Sequence, residues 1–472
     1  MLNDYNKEVL VALIKADLAL ATENAAYGLW EYTCKMLDKT MKQHIGVDAA
    51  ETLNLVKTMI EHGYLEMYEN ANSTSGLKEI RALFGIEKPS GFNANVSIIE
   101  DLFILVLDST TQRDYLKNSG FDIAVLKWAI LYDSVFLFDN LLQGGVNVCK
   151  REHSLHALEF LCSNGSGPNG HRMLVRMLEK VEKADLNQLT PSGEGWGLLH
   201  RLGLVDGRGD SVFGCPNFRS TTAWIPDTPP PPPPPLGYSR IGTTGFAQAR
   251  RPHSNQKFNL VHRLLLEQVD CQVLSTKSHF SPLSTHISAG HIDTARLILR
   301  HGAYQTLHVP DVNGWTPVSW ACVHGYVDFL EDIAAAHCPE PIWDFRVQVA
   351  LATSKFGAKT FNDISALHLA AIASPDTVTF LLDRGFATNL DVAAADFSTP
   401  LHLATFFGLT ETIKILVSRG CNINAQTSAG LTSLHISLLH QDETTVALLL
   451  ELVFEEFRQI RQEMKLNGFK GI

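Results

Sequence analysis

The sequence lacks the cysteine spacing that metal sites and disulfide scaffolds require. Its 472 residues include eight cysteines, and no two of them form a C-x-x-C pair. Structural zinc sites usually use closely spaced cysteine or histidine ligands, and small disulfide-linked domains hold cysteines at much higher density. We therefore expect neither a metal site nor a disulfide framework. The cysteines are scattered along the chain: Cys34, Cys149, Cys162, Cys215, Cys271, Cys322, Cys338 and Cys421.

Long hydrophobic runs and dense basic clusters are also missing. The most apolar stretch, residues 97–107, contains Glu100 and Asp101 and is shorter than the roughly 20 residues that cross a bilayer. The first residues lack the basic segment of a secretory signal. The formal net charge of −11 should repel nucleic acids and anionic membrane surfaces. We expect no membrane or nucleic-acid partner, and a cytoplasmic or nuclear location.

Sequence patterns for known chemistry are absent as well. The chain has no phosphate-binding G-x-x-x-x-G-K-[ST] motif, no H-E-x-x-H zinc motif and no nucleophile elbow. We therefore predict no catalytic residue and no cofactor, so the chain is not expected to be an enzyme. The remaining enzyme hypothesis places an unrecognised activity in residues 1–120.

What the sequence does contain is an internal repeat. A four-residue pattern close to T-P-L-H occurs five times, and its copies start 35, 49, 34 and 33 residues apart. Three of these four spacings match a repeat of about 33 residues. The starting residues are Ser281, Thr316, Ser365, Thr399 and Thr432.

Each copy carries the local signals of a helix pair. The hydroxyl at the first position can cap a helix, and the proline of the first, second and fourth copies suits the first helical turn. Glycines should end the first helix at Gly290, Gly325 and Gly408. Glycines in the left-handed conformation should end the second helix at Gly302, Gly385 and Gly420. A tight turn is expected at residues 311–314.

This pattern resembles the signature of ankyrin repeats, and is similar to the divergent ankyrin-repeat proteins common in filamentous fungi. The resemblance implies an all-α solenoid of helix-turn-helix repeats with finger loops. The apolar spacing within residues 1–120 indicates that a helical amino-terminal region precedes it. It also implies that the histidine at the fourth position, in His368, His402 and His435, bonds to backbone and braces neighbouring repeats. Successive histidines would then lie too far apart to share a metal ion.

The repeat register suggests five segments. Residues 1–120 form a helical region of no assigned family, 121–206 form degenerate repeats, and 207–256 form a proline-rich insertion within a repeat that opens near Gly197. Residues 257–443 form the clearer repeats, and 444–472 form a capping helix and tail. A further insertion at 338–354 explains the one spacing of 49.

In ankyrin proteins the finger tips and first helices form a concave binding surface. The repeat register places mostly apolar residues there, which predicts an apolar protein or peptide partner. The alternative is that the amino-terminal region, the cap or the 338–354 insertion folds over this stripe. The candidate partner-binding residues are Phe280, Trp315, Val323, Ile364, Ile372, Phe406, Phe407, Leu431 and Leu439.

A second candidate site is the run of seven prolines from Pro229 to Pro235, followed by Leu236. Such a run forms a polyproline II helix, which suits the aromatic groove of a polyproline-reading domain. A plain spacer is the other interpretation, and a gene-model artefact is a third, because the repeats do not need residues 207–256.

These features predict a non-catalytic scaffold or adaptor for protein–protein interactions. One alternative is a regulator that sequesters a transcription or signalling factor. Because one fold serves many functions, the sequence alone does not identify the partner or the pathway.

Overall fold

The computed structural model describes most of the chain from residue 121 onward. The described residues are 121–149, 151–152, 155–164, 167–182, 186–189, 195–203, 255–336, 340–353, 357–466 and the single residues Lys57, Glu100 and Ile104. The helical prediction for residues 1–120 and the proline run therefore lie outside the described part. The chain divides into two compact units, Met1–Leu186 and Asn187–Ile472.

The described part of the first unit contains two helix pairs. Helix α1 packs against α2 and α3, and α4 packs against α2 and α3. Ser134 precedes α2, and its hydroxyl accepts a hydrogen bond from Leu137 N–H at 3.3 Å. The elements are α1 (Phe121–Leu131), α2 (Val135–Gln143), β1 (Arg151–Glu152), β2 (Leu155–His156), α3 (Ala157–Asn164) and α4 (Gly170–Leu178).

The second unit is a stack of helix pairs, in agreement with the expected all-α solenoid. Its first two pairs are α5 (Leu198–Gly203) with α6 (Asn255–Leu266), and α7 (Pro282–Ser288) with α8 (Ile292–Arg300). The next are α9 (Pro317–His324) with α10 (Val327–Ala335), and α11 (Ala366–Ala373) with α12 (Pro375–Asp383). The last are α13 (Pro400–Phe406) with α14 (Thr410–Ser418), and α15 (Ser433–Leu439) with α16 (Glu443–Leu466). Short 3-10 helices occur at Ala303–Thr306 and Glu340–Trp343.

The helices of this unit form two rows. Each first helix packs against the first helix of the next pair, which gives an inner row of α5, α7, α9, α11, α13 and α15. Each second helix likewise packs against the next second helix, which gives an outer row of α6, α8, α10, α12, α14 and α16. Because a pair buries its apolar faces only against its neighbours, the stack depends on these contacts along its whole length.

The predicted helix boundaries are confirmed. Thr316 caps α9, because its hydroxyl accepts a hydrogen bond from Ser319 N–H at 3.1 Å while the Ser319 hydroxyl accepts one from Thr316 N–H at 2.8 Å. The same reciprocal arrangement precedes α11, α13 and α15. All six glycines predicted to end helices have φ between 67° and 110°, where a side chain would be strained.

The turns before the inner helices stack on one another. At the turn of residues 311–314, Asp311 Oδ1 accepts hydrogen bonds from the N–H groups of Asn313 and Trp315, both at 2.8 Å. Val312 N–H of the same turn donates to Ser278 C=O of the preceding turn at 3.1 Å. Equivalent bonds join the later fingers, from Ala395 N–H to Asn362 C=O at 3.0 Å and from Ser428 N–H to Asp396 C=O at 2.9 Å.

A β-hairpin that was not predicted from the sequence interrupts the helical stack. Strands β3 (Val347–Thr353) and β4 (Gly357–Ile364) pair antiparallel, with Val349 opposite Phe361. This hairpin enlarges the finger before α11, and its first strand lies within the predicted 338–354 insertion. Its apolar residues Val347, Val349, Phe361 and Ile364 are buried.

Candidate functional site: the inner face

Buried histidines connect the repeats along the inner row. His368 Nδ1 accepts a hydrogen bond from Ser365 N–H at 3.3 Å, and its Nε2 lies 3.0 Å from Ser398 C=O. His402 uses the same two atoms, toward Thr399 N–H at 3.0 Å and Leu431 C=O at 3.2 Å. The predicted bracing role is therefore confirmed for these two residues. Each ring joins its own helix cap to the residue just before the next cap.

The same bracing bond spans the 207–256 segment. His200 Nδ1 accepts a hydrogen bond from Gly197 N–H at 3.1 Å, and its Nε2 lies 2.9 Å from Phe280 C=O. Phe280 directly precedes the cap of α7, so His200 occupies the same role as His368 and His402. Helix α5 also packs against α6 across the intervening segment. These contacts favour the interpretation of residues 207–256 as an insertion inside one repeat.

Burial keeps the bracing rings neutral. Desolvation lowers the pKa of His200 and of His368 to about 4, although the backbone carbonyl that each ring contacts partly opposes this shift. Desolvation lowers the pKa of His402 as well. At neutral pH each ring is therefore an uncharged connector with Nε2–H as the donor, which suits a structural role better than metal binding or acid–base chemistry.

We expect His368→Ala to lower the free energy of unfolding by about 2–4 kcal/mol, because it removes a cap and leaves the buried Ser398 C=O without its partner. His435→Ala is the matched control. His435 occupies the same repeat position but is exposed and bonds only within its own cap, so its loss should cost about 1 kcal/mol or less. Equal effects in urea titrations of the full chain would contradict the bracing role.

An aromatic cluster covers the inner face of the first repeats. The ring of Trp320 stacks on Trp315 at a centroid distance of 4.4 Å and lies 6.2 Å from Phe280. Phe280 in turn makes an edge contact with Trp196 at 6.2 Å. Trp315 Nε1–H donates to Gln348 C=O of strand β3 at 3.1 Å. The hairpin and the neighbouring repeats thus fill this part of the face with the protein's own side chains.

This packing corrects part of the predicted binding surface. Trp315 is only 6% exposed, and Val323, Ile364 and Ile372 are buried more completely. The expectation that these four side chains are exposed is wrong. Trp315 is held by its hydrogen bond to Gln348 C=O, in line with the alternative that residues 338–354 cover the stripe. Ile364 belongs to strand β4, and Val323 and Ile372 lie on the inner helices α9 and α11. Trp343 of the same insertion stacks on Phe386 at 4.2 Å, which fixes the insertion to the α12 repeat.

The other predicted residues keep part of their surface exposed. Phe280, Phe406, Phe407 and Leu431 are half-buried, and Leu439 is 59% exposed. Phe406 lies at the end of α13, and its ring contacts Phe407 at 5.2 Å and His440 at 4.6 Å. Because α13 packs against α15, these side chains form one surface at the last two repeats. We call Phe406, Phe407, Leu431 and Leu439 the inner-face patch.

The described residues also bear on metal sites and membrane-spanning helices. No cluster of three or more histidine, cysteine, aspartate or glutamate side chains could hold a metal ion in the part of the chain that the structure describes. Within that same part, no helix is long and apolar enough to cross a membrane. The proposed polyproline ligand, with Pro229, Pro235 and Leu236, lies outside the described residues.

Comparisons with known proteins agree with this geometry. A family model described as ankyrin repeats (3 copies) matches residues 249–339, 347–427 and 367–459. Rabankyrin-5 of Mus musculus is 42% identical over 57 residues, and Rabankyrin-5 of Homo sapiens is 43% identical over 56 residues. Each match covers 12% of this chain and 5% of the relative, so the similarity is confined to a small part of those proteins. The stacked helix pairs, the bracing histidines and the matched family model together show that this chain contains ankyrin repeats within residues 249–459.

Proposed function

We propose that this protein is a non-catalytic scaffold or adaptor whose inner-face patch holds an apolar segment of a protein partner. Ankyrin repeats are a protein–protein interaction module, and the patch identifies one part of the array that is suited to that task. The observation that carries the proposal is the 59% exposure of Leu439, which directly precedes His440, whose ring contacts Phe406 at 4.6 Å. Folding requires no large apolar group with more than half of its surface in water at this position.

The chemistry of the patch favours a particular kind of partner. Interface centres are rich in aromatic and large aliphatic groups, and a few such groups usually supply most of the binding energy. The ring of Phe406 is held by Phe407 and by His440, so little side-chain entropy would be lost on binding. The net charge of −11 favours basic residues at the rim of the partner, because opposite charges speed association.

We expect Leu439→Glu to weaken partner binding by about 2 kcal/mol or more, equivalent to roughly thirtyfold, because it places a charge in the centre of an apolar contact. Leu266→Glu is the matched control, since Leu266 is 55% exposed but lies on the outer row. The full chain and both variants would be immobilised and exposed to lysate of the source organism. Retained proteins would be quantified by mass spectrometry, and their affinities then measured singly.

The pattern of retention decides the proposal. Partners lost by Leu439→Glu and kept by Leu266→Glu would support the inner-face patch, provided that both variants melt at the wild-type temperature. Partners kept by Leu439→Glu and lost by Leu266→Glu would move the binding surface to the outer row. Partners kept by both variants would contradict the inner-face patch and make residues 229–236 the next candidate.

A further inference from the structure

The inner row of helices ends at α15 in the part of the chain that the structure describes. Helices α7, α9, α11 and α13 each pack between two inner helices, whereas α15 packs against α13 alone within this row. Helix α16 continues the outer row, because it packs against α14 as well as α15. The next place in the inner row is therefore not taken by any described helix.

Two leucines of α15 are more exposed than their equivalents in the earlier repeats. Leu434 and Leu438 lie two and six residues after the cap Thr432, and Leu434 is half-buried while Leu438 is 56% exposed. The equivalent side chains of α9, α11 and α13 are at most 1% exposed: Val318, Cys322, Leu367, Ala371, Leu401 and Thr405. Because those helices differ from α15 in having a following inner helix, it is the following helix that buries these positions. A repeat that only closed the stack would carry polar residues here.

The histidine bond that joins successive repeats also stops at α15. His368 and His402 each use Nε2 to contact the C=O group just before the next cap, at 3.0 and 3.2 Å. In His435, at the same repeat position, Nδ1 accepts a hydrogen bond from Thr432 N–H at 3.3 Å, which makes Nε2 the donor. Among the described residues no carbonyl accepts from this Nε2–H, so the ring offers a donor to a following unit.

The bond that joins successive fingers ends in the same way. In each earlier finger the C=O group three residues before the cap accepts a hydrogen bond from the next finger, as Asp396 C=O does from Ser428 N–H at 2.9 Å. Ala429 holds this position in the last finger and is exposed, and no described N–H group donates to its C=O. Ala429 C=O, His435 Nε2–H and the two leucines are thus the groups with which each repeat holds the next. We call these four residues the open end.

We propose that the open end binds a segment of another protein that consists of a tight turn followed by an amphipathic helix, in the place of a further repeat. The turn donates an N–H to Ala429 C=O and offers a C=O to His435 Nε2–H, while the apolar face of the helix covers Leu434 and Leu438. Residues 400–455 include five acidic and two basic residues, which favours basic residues on the segment and disfavours a second copy of this acidic chain. The open end is a different surface from the inner-face patch.

Site-specific photocrosslinking of the full chain identifies the occupant. Benzoylphenylalanine, a photoreactive amino acid, would replace Leu438, and in a control variant it would replace Leu266, which is 55% exposed on the outer row. In lysate of the source organism the Leu438 variant should cross-link to a turn-and-helix segment of another protein, and the Leu266 variant should not. The cross-linked segment would then be made as a labelled peptide, and fluorescence anisotropy would give its dissociation constant for the full chain.

Variants of the full chain then locate the contact. Leu438→Glu should weaken binding of the peptide by roughly thirtyfold or more, because it places a charge in an apolar contact. His435→Ala should weaken it about fivefold through the lost hydrogen bond, and Leu439→Glu should leave it unchanged. Circular dichroism should show that the peptide gains helix when it binds, and thermal melting would verify that each variant is folded.

Three results would overturn the proposal. The first is a Leu438 variant that cross-links to nothing, or only to a copy of this same chain. The second is a peptide that wild type and Leu438→Glu bind equally well. The third is a peptide that Leu439→Glu weakens as strongly as Leu438→Glu, which would assign the segment to the inner-face patch and leave the proposed function standing.

Discussion

Trp315→Ala should lower the free energy of unfolding by about 3–5 kcal/mol, the cost of replacing a well-packed tryptophan by alanine. The indole is buried, stacks on Trp320 at 4.4 Å and donates a hydrogen bond to Gln348 C=O of the hairpin. The substitution therefore removes both core packing and the bond that fastens the hairpin to the preceding finger. Such a loss is a large fraction of the total stability of a typical domain.

Phe397→Ala provides the control for this prediction. Phe397 lies near the cap of α13, much as Trp315 lies near the cap of α9, but it is exposed. We expect its substitution to change stability by no more than about 0.5 kcal/mol. Denaturant titrations of both variants, followed by circular dichroism, would make the comparison. If Trp315→Ala were as mild as Phe397→Ala, the indole would be an exposed binding group rather than part of the core.

The second large effect is acid destabilisation of the array. Burial lowers the pKa of His200 and His368 to about 4 and that of His286 and His324 to about 3. These rings take up protons more readily when the chain is unfolded, where the pKa is about 6.5. Their neutral buried form therefore supports folding above pH 6.5, and that support is lost as the pH falls toward 4.

The expected size follows from the pKa difference. At pH 5 each of the four rings costs about 2 kcal/mol relative to pH 7.5, since one pKa unit corresponds to about 1.4 kcal/mol. Asp311 acts in the opposite direction, because burial raises its pKa to about 6. Its contribution to stability is complete below the unfolded pKa of about 3.9 and is lost as the pH rises through 6, so it offsets the effect of about one histidine.

Urea titrations at pH 7.5 and pH 5.0 measure the net effect. We expect half of the protein to unfold at a much lower urea concentration at pH 5.0 than at pH 7.5. This corresponds to a loss of several kcal/mol in the free energy of unfolding. Asp311→Asn should enlarge this loss of stability, because Asp311 is the one group in this set whose titration favours folding at pH 5.0 over pH 7.5. A midpoint that is unchanged or higher at pH 5.0 would mean that the rings are accessible and charged in the folded chain.

The features that the sequence predicted correctly depend on local chemistry. The cap at Thr316 needs only a hydroxyl three residues before an unpaired N–H, and Gly325 needs only the freedom to adopt a positive φ. Such requirements appear in a few consecutive residues and recur with each repeat. The bracing histidines were also predictable, because their partners are fixed by the repeat itself.

The features that were missed depend on contacts between distant residues. The spacing of 49 indicated an insertion, but the alternation Val347-Gln348-Val349 that signals a strand was not recognised. Because the hairpin was not predicted, the repeat register gave no sign that the side chains of Trp315 and Ile364 are buried. The part of the predicted site that keeps exposed surface, from Phe406 to Leu439, stays a prediction, because the repeat register gives the position of these residues in the array and not their partner.

Hydroxyl-radical footprinting of the full chain, alone and in complex with its most strongly captured protein, tests the central claim most directly. We expect Phe406, Phe407 and Leu439 to lose reactivity in the complex, while Leu266 on the outer row keeps its reactivity. Loss of reactivity at Leu266, with Phe406, Phe407 and Leu439 unchanged, would contradict the assignment of the inner face as the binding surface.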